Sequence, residues 1–206
     1  MFKNRNDAAK RLVEILPDND IDIIIGIPRG GTIIAEIISN EIKIKYSSIL
    51  CKKISNPFNC EIAIGAVAQD GSIYINKEIC ERLNISDEYI ENKIQLLKHN
   101  FEEIKNQIQF EVPENKKILL VDDGAATGYT LAAACRMLRR YNNAIYIAVP
   151  VLSGYAYEIL IKECKDIFSV IMAPHMEAVS LYYEAFEQIE EDAINLFKQK
   201  NNYSNI

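Results

Sequence analysis

The residues best suited to chemistry lie in one run, Ile118-Leu119-Leu120-Val121-Asp122-Asp123-Gly124-Ala125-Ala126-Thr127-Gly128-Tyr129-Thr130. The apolar stretch predicts a buried strand that carries two adjacent carboxylates to the rim of a sheet. Gly124, Ala125, Ala126 and Gly128 are small enough for a ligand to approach the backbone. Thr127 and Thr130 add hydroxyl donors. A helix starting at Thr130 aims its free N–H groups and its dipole at the loop, which suits a phosphate. A phosphate alone gives no reason for two carboxylates beside it, whereas a ligand with a diol does, because carboxylates accept hydrogen bonds from ribose hydroxyls. The loop reads as a cradle for ribose 5-phosphate. The plain alternative is a helix cap with two solvated aspartates. The run lacks the Gly-Lys-Ser/Thr ending of a Walker A loop and the three spaced glycines of a dinucleotide fingerprint.

A second run, Gly26-Ile27-Pro28-Arg29-Gly30-Gly31, also joins a predicted strand to a predicted helix. Its glycines permit an unusual backbone with exposed N–H groups. Arg29 adds a fixed charge suited to a diphosphate. Taken by itself, the run could equally be a glycine-rich turn with a surface arginine. Lys43, Lys45, Lys52 and Lys53 form a basic stretch with no acid between the first and the last, a candidate diphosphate-facing patch. Arg136, Arg139 and Arg140 lie more than a turn beyond the phosphate loop and read as a solvated helix face or a subunit contact.

The elements that must position these loops follow from pattern. Asp7 is the expected cap of a short helix bearing Ala8, Leu12, Ile15 and Leu16, ended by Pro17 to Asp20. Ile21 to Ile25 reads as a buried strand, Thr32 to Glu41 as a helix and Ser47 to Ile54 as a second strand. Glu61 to Val67 and Ser72 to Asn76 flank Asp70-Gly71, a hairpin signal. Ser86 then caps a long helix with apolar positions at Ile90, Ile94, Leu97, Phe101, Ile104 and Ile108. This heptad seam extends over about 35 Å. Strands are expected at Lys117 to Val121, Ala144 to Val151 and Ile167 to Met172. Helices are expected at Thr130 to Tyr141 and Tyr155 to Glu163. The C-terminal part, about 173–206, reads as helical through Tyr182, Tyr183, Phe186, Ile189, Ala193, Leu196 and Phe197. Alternating strands and helices imply one α/β domain over 1–206, with a mostly parallel sheet flanked by helices. The hairpin and long helix, about 55–110, form an insertion that serves as a hood or a subunit contact.

Composition narrows the partners. The 206 residues carry 23 Lys and Arg against 29 Asp and Glu, a net charge of −6. An acidic chain is poorly suited to wrapping nucleic acid. No apolar run approaches the roughly 18 residues of a membrane span, and the first residues lack the apolar stretch of a signal peptide. Five cysteines without a CxxC pair point to a reducing cytoplasm rather than a disulfide frame or a zinc site. Two histidines argue against a histidine-rich metal centre.

The Asp122 to Thr130 segment resembles the phosphoribosyl diphosphate (PRPP) signature of type I phosphoribosyltransferases. Over most of its length the chain is similar to the uncharacterised bacterial and archaeal predicted phosphoribosyltransferases. The match is carried by Gly26 to Gly31, Lys53 with Glu61 to Val67, Val121 to Thr130, and Ala148 to Val151. Gly124 departs from the broad type I pattern, which has an aliphatic residue there. The resemblance implies transfer of ribose 5-phosphate from PRPP to a nitrogenous base or other nitrogen nucleophile, with pyrophosphate released. It assigns the ribose hydroxyls to Asp122 and Asp123. The 5-phosphate falls to Gly124, Ala125, Ala126, Thr127, Gly128, Tyr129 and Thr130, and the diphosphate to Pro28, Arg29, Gly30, Gly31 and Lys53. Asp122, Asp123, Arg29 and Lys53 are the residues it makes catalytic. Mg²⁺ would arrive with PRPP, assisted by Asp122.

The resemblance further implies a strained or cis peptide between Pro28 and Arg29, and a homodimer. Hypoxanthine-type enzymes carry an aspartate where this chain has Ala126, so that purine class is disfavoured. Met176 to Tyr183 resembles a segment in which an aromatic residue is available for stacking; Tyr182 or Tyr183 would supply it, the alternative being that both are ordinary core tyrosines. A PRPP-binding regulatory or sensor protein without transferase activity is the alternative.

Overall fold

A computed structural model describes residues 1–16, 21–105 and 112–187. Pro17 to Asp20, Ile108 of the seam, and Ile189, Ala193, Leu196 and Phe197 of the expected C-terminal helix lie outside the described residues.

A five-stranded parallel sheet runs in the order β2-β1-β6-β7-β8. Its strands are β1 (Ile23–Gly26), β2 (Tyr46–Ser48), β6 (Lys117–Val121), β7 (Ala144–Ser153) and β8 (Asp166–Ala173). Strand alternation divides the core in two. Ile24, Leu119 and Val121 face helices α1 (Arg5–Val13) and α2 (Gly30–Ile42), meeting Leu12, Ile34 and Ile38. Ile25, Ile118 and Leu120 face α5 (Tyr129–Arg139) on the opposite side. Helix α6 (Gly154–Leu160) is capped by Ser153, whose side chain accepts from the Ala156 N–H. From β1 the chain crosses to β2 on one side, and from β6 it crosses to β7 on the other. A crevice therefore opens between the carboxyl ends of β1 and β6, the position where open parallel sheets bind ligands.

The first helix is capped by Asn4, whose side chain accepts from the Asp7 N–H, and not by Asp7. The strand expected over Ser47 to Ile54 is two strands. β2 stays in the main sheet, and β3 (Cys51–Asn56) leaves it to pair with β4 (Asn59–Ala68), which pairs with β5 (Ile73–Ile75) in an antiparallel sheet. Apolar alternation alone does not reveal where a chain changes sheets. The segment after Ala178 is a short 3-10 helix, Val179–Tyr182, followed by extended chain. Tyr183, Glu184 and Ala185 are not helical because Glu184 and Ala185 donate to the carbonyls of Phe2 and Lys3.

Helix α3 (Lys77–Arg82) and the 19-residue α4 (Asp87–Lys105) complete the hood. Ser86 does cap α4, accepting from the Tyr89 N–H at 3.3 Å. Within the hood the seam residues Ile94, Phe101 and Ile104 are buried against Leu50, Ile54, Ile64, Val67, Cys80 and Ile85, with Ile90 and Leu97 partly covered. The hood has three strands and its own helix α3, and these bury Ile94, Phe101 and Ile104 while Ile90 and Leu97 stay partly exposed.

Phe101→Ala is therefore expected to lower the unfolding free energy by about 3–5 kcal/mol, the cost of deleting a buried aromatic side chain. The loss should be the same at low and high protein concentration. Denaturant titrations of the variant and the wild type at two concentrations check this, and a loss that differs between the concentrations would mean that another copy shares the seam.

Candidate active site

The two loops singled out by their residue types begin side by side, because Gly26 and Val121 are register partners on neighbouring strands. They then touch. A Cβ on Gly30 would overlap the Asp123 carboxylate, and one on Gly31 would come 2.6 Å from the Val121 carbonyl. Only glycines allow the loops to approach this closely. Arg29 is exposed and caps α2 in a strained backbone conformation, φ 75° and ψ −98°. The unusual backbone here is the φ of Arg29, not the peptide between Pro28 and Arg29 that was expected to carry it. No peptide bond among the described residues is cis.

The two carboxylates are held differently. Arg5 donates to Asp123 Oδ2 from Nε at 2.9 Å and from Nη2 at 2.8 Å. The Tyr183 hydroxyl donates to the Asp123 carbonyl at 2.6 Å. Asp122 has no such cation; its Oδ1 accepts from the Asp123 N–H at 2.9 Å. Burial pushes the Asp122 carboxyl well above the usual carboxylate range, and the charge of Asp123 pushes it further. Burial also raises Asp123, against the opposing pull of Arg5. Lys53 sits exposed on β3, and its charge favours ionisation of both aspartates. The hood thereby brings one positive charge to the pair.

Past the aspartates, Gly124 is explained by its neighbours. A Cβ there would come 2.5 Å from a Val179 methyl group, so Val179 fills the space that an aliphatic residue at 124 would take. Ala125 is buried and its N–H donates to the Val151 carbonyl at 2.9 Å. The Ala126 carbonyl accepts from the Ser153 hydroxyl at 2.6 Å. Gly128 caps α5 in the left-handed conformation, φ 72°. Thr127 and Thr130 remain partly exposed at the helix start.

Tyr129 turns the other way. Its fully buried ring stacks on Tyr74 of the hood, with centroids 5.4 Å apart. Its hydroxyl accepts from Asn76 Nδ2 at 2.9 Å and lies 2.7 Å from the Tyr155 hydroxyl, which also meets Asn76 Nδ2. Only the backbone of Tyr129 faces the loop, and its side chain ties the loop to the hood.

Several sequence expectations change here. Tyr183 is buried between Phe2 and Phe186, with centroids 5.3 and 5.0 Å away, so it is no stacking platform. Tyr182 stays partly exposed, its hydroxyl donating to the His175 carbonyl at 3.3 Å. Arg139 and Arg140 are exposed, as expected of a solvated face, but Arg136 and Arg139 share a buried partner. Both bind the carboxylate of Glu163, each at 2.6 Å, and Arg136 also donates to the Ile73 carbonyl of the hood at 3.0 Å. Arg5 was missed altogether, since one arginine near the start of an amphipathic helix carries no signal of a partner 118 positions away.

Asp122 carries a testable cost. With its folded-state value raised, its contribution to stability is full below the ordinary aspartate value of about 3.9 and is lost as pH rises through the raised value. Asp122→Asn keeps an oxygen for the Asp123 N–H and removes the buried charge. Without ligand, the variant should melt higher than the wild type at pH 8, by about 2–4 °C for each kcal/mol relieved in a chain of this size. The two should converge toward pH 4. Thermal melts across pH check this, and equal melting temperatures at pH 8 would refute it.

Comparison with known proteins bears on the fold and the family. A Mycobacterium tuberculosis H37Rv protein named "Putative phosphoribosyl transferase" is 26% identical over 212 residues, covering 96% of this chain and 46% of that protein. The chain thus spans about half the length of the curated relatives it matches. The crystal structure of a Thermus thermophilus protein superimposes with a TM-score of 0.74 at 24% identity, covering 97% of this chain and 98% of that one. Purine phosphoribosyltransferase from Pyrococcus horikoshii Ot3 gives 0.52 at 19% identity, covering 91% and 94%. The adenine enzyme of Giardia lamblia gives 0.51 at 18%, covering 83% and 80%. These structural likenesses concern the fold. Residues 1–187, which hold both loops, the aspartate pair and the hood, match the phosphoribosyl transferase domain model, and the chain belongs to that family.

Proposed function

We propose that this chain binds PRPP and transfers its ribose 5-phosphate to a nitrogen nucleophile, releasing pyrophosphate. The observation that carries the reading is the direct contact between the two loops, with the Asp123 carboxylate resting on Gly30. PRPP has a phosphate at one end, a diphosphate at the other and a diol between them. A site with an anion-binding helix start, a glycine-and-arginine loop and two carboxylates matches that order.

In this reading Asp122 and Asp123 accept from the ribose hydroxyls. The loop backbone from Gly124 to Thr130, with the hydroxyls of Thr127 and Thr130, binds the 5-phosphate. Pro28 shapes the second loop, and Arg29, the Gly30 and Gly31 amides and Lys53 receive the diphosphate. Rupture of the glycosidic C–O bond leaves positive charge on the anomeric carbon and negative charge on the departing diphosphate. The aspartates sit near the first, and Arg29 and Lys53 stabilise the second. The chemistry is mainly positioning and charge stabilisation.

Mg²⁺ fits the site in a limited way. Asp122 is a hard oxygen donor with no ion-pair partner of its own among the described residues, and burial beside the Asp123 charge makes it gain from a nearby cation. Among the described residues no group of three or more candidate ligands could hold an ion unaided. Bound PRPP would supply the other oxygens, as phosphates commonly do. When bound, the ion neutralises the leaving diphosphate.

The acceptor is a small molecule with a nucleophilic nitrogen. Ala126 provides no acid or base, so proton transfer at the acceptor has no evident protein partner at that position. This same feature favours the second reading, a PRPP-binding regulator that keeps the cradle without transfer. Tyr182 remains the candidate for stacking an acceptor ring. Among the described residues no helix is long and apolar enough to cross a membrane. The five free cysteines suit a reducing cytoplasm. A homodimer is part of the proposal on family resemblance alone.

PRPP with Mg²⁺ at a hundredfold excess over its Kd should raise the melting temperature by about 5–10 °C, the effect of mass action on a chain of this size. Arg29→Ala and Asp123→Asn should each reduce the shift. If millimolar PRPP produces neither a shift nor calorimetric heat, the reading is wrong. Pyrophosphate release with a panel of bases and amines then separates transfer from binding alone.

A further inference from the structure

Arg5 is placed against ordinary preference. It is the first residue of α1, where the helix dipole repels a cation. Its side chain is only 10% exposed, and such burial of a charge is costly without partners. The partners are present. Nε and Nη2 converge on Asp123 Oδ2, Nη1 donates to the Glu187 carbonyl at 2.8 Å, and the guanidinium lies 4.0 Å above the Phe186 ring. Both contacts to the aspartate fall on one oxygen. That oxygen also rests against the bare Cα of Gly30. Oδ2 is thus held from two sides, and Oδ1 is not engaged by Arg5.

We infer that Arg5 is a positioning residue for the diol-binding carboxylate. It fixes Oδ2 of Asp123 so that Oδ1 is presented to a ribose hydroxyl. It also links that orientation to the pairing of the N-terminal and C-terminal segments, in which the Phe2 N–H donates to Tyr182 and the Glu184 N–H to Phe2. The inference rests on the phosphoribosyl reading above and adds to it a residue from outside both loops. A lysine cannot replace Arg5, because one ammonium does not reproduce the planar fork and the stack on Phe186.

The test uses calorimetry with two probes, PRPP–Mg²⁺ and pyrophosphate–Mg²⁺, on folded wild type and Arg5→Lys. The variant is expected to bind PRPP about 10–100-fold more weakly, the scale of a misplaced contact, while its affinity for pyrophosphate, which has no diol, is unchanged. In an Asp123→Asn background Arg5→Lys should cause little further loss, since the two residues act as one unit. If the variant binds both probes like the wild type, or loses both alike, Arg5 has no selective role and the inference is overturned. If wild type binds neither probe, the phosphoribosyl reading falls and takes the inference with it. Should Arg5→Lys fail to fold, Phe186→Leu removes the ring beneath the guanidinium. The same selective loss in smaller degree supports the inference, and unchanged PRPP affinity overturns it.

Discussion

The Asp123 carboxylate lies directly on the backbone of Gly30, and this contact governs the geometry of the whole rim. Parallel neighbours β1 and β6 hold the two loops one strand spacing apart, and the missing side chain at Gly30 lets them close on each other. Two carboxylates, an arginine loop and a helix N-terminus are thereby collected at one crevice. A side chain at position 30 would part the loops, and the aspartates and the glycine-and-arginine loop would become separate features.

Collecting acids in a half-buried crevice is unfavourable by itself, and the surrounding elements answer each acid differently. Asp123 receives a buried arginine at its carboxylate and a tyrosine hydroxyl at its backbone carbonyl. Asp122 receives a backbone N–H and a more distant lysine, and its carboxyl is correspondingly reluctant to ionise. The unequal treatment fits a site that holds one carboxylate fixed and leaves the other to respond to what binds. Stability given up at the rim is supplied by the two cores on either face of the parallel sheet, where Ile24, Ile25, Leu119 and Leu120 are fully buried.

The hood is largely self-sufficient in its core but not independent in position. Tyr129 begins the helix that follows the phosphate loop, and its ring and hydroxyl are buried against Tyr74, Asn76 and Tyr155. Arg136, two turns along the same helix, reaches the Ile73 carbonyl and lies 4.7 Å over Tyr74. Helix α5 therefore sets the hood relative to the loop, and through β3 it sets the place of Lys53 relative to the aspartates. Loop, helix and hood form one mechanical unit.

The parallel sheet, both loops and the aspartate pair were legible in the chain because their causes are local. Apolar runs such as Ile118 to Val121 bury themselves, Gly30-Gly31 and Gly128 permit unusual backbone, and a helix start carries its own N–H groups. What depends on distant partners was not legible. The path from Ser48 to Cys51 reads as one strand, yet it splits between two sheets because only the packed structure decides which neighbour each half meets. Tyr183 reads as either a stacking platform or a core tyrosine, and the choice falls to Phe2 and Phe186, which enclose it, and to the Asp123 carbonyl, which takes its hydroxyl. The α4 seam reads as part of a hood or a subunit contact, and the packed structure buries Ile94, Phe101 and Ile104 of it beside β3, β4 and α3. Arg5 gives no signal in the sequence and becomes the cation of Asp123, since the folding of the sheet brings residues 118 positions apart into contact. The sequence by itself determined which chemical groups the rim would carry. The tertiary structure alone decided which of them are held, which are free and what holds them, because burial and ion pairing are properties of neighbours in space.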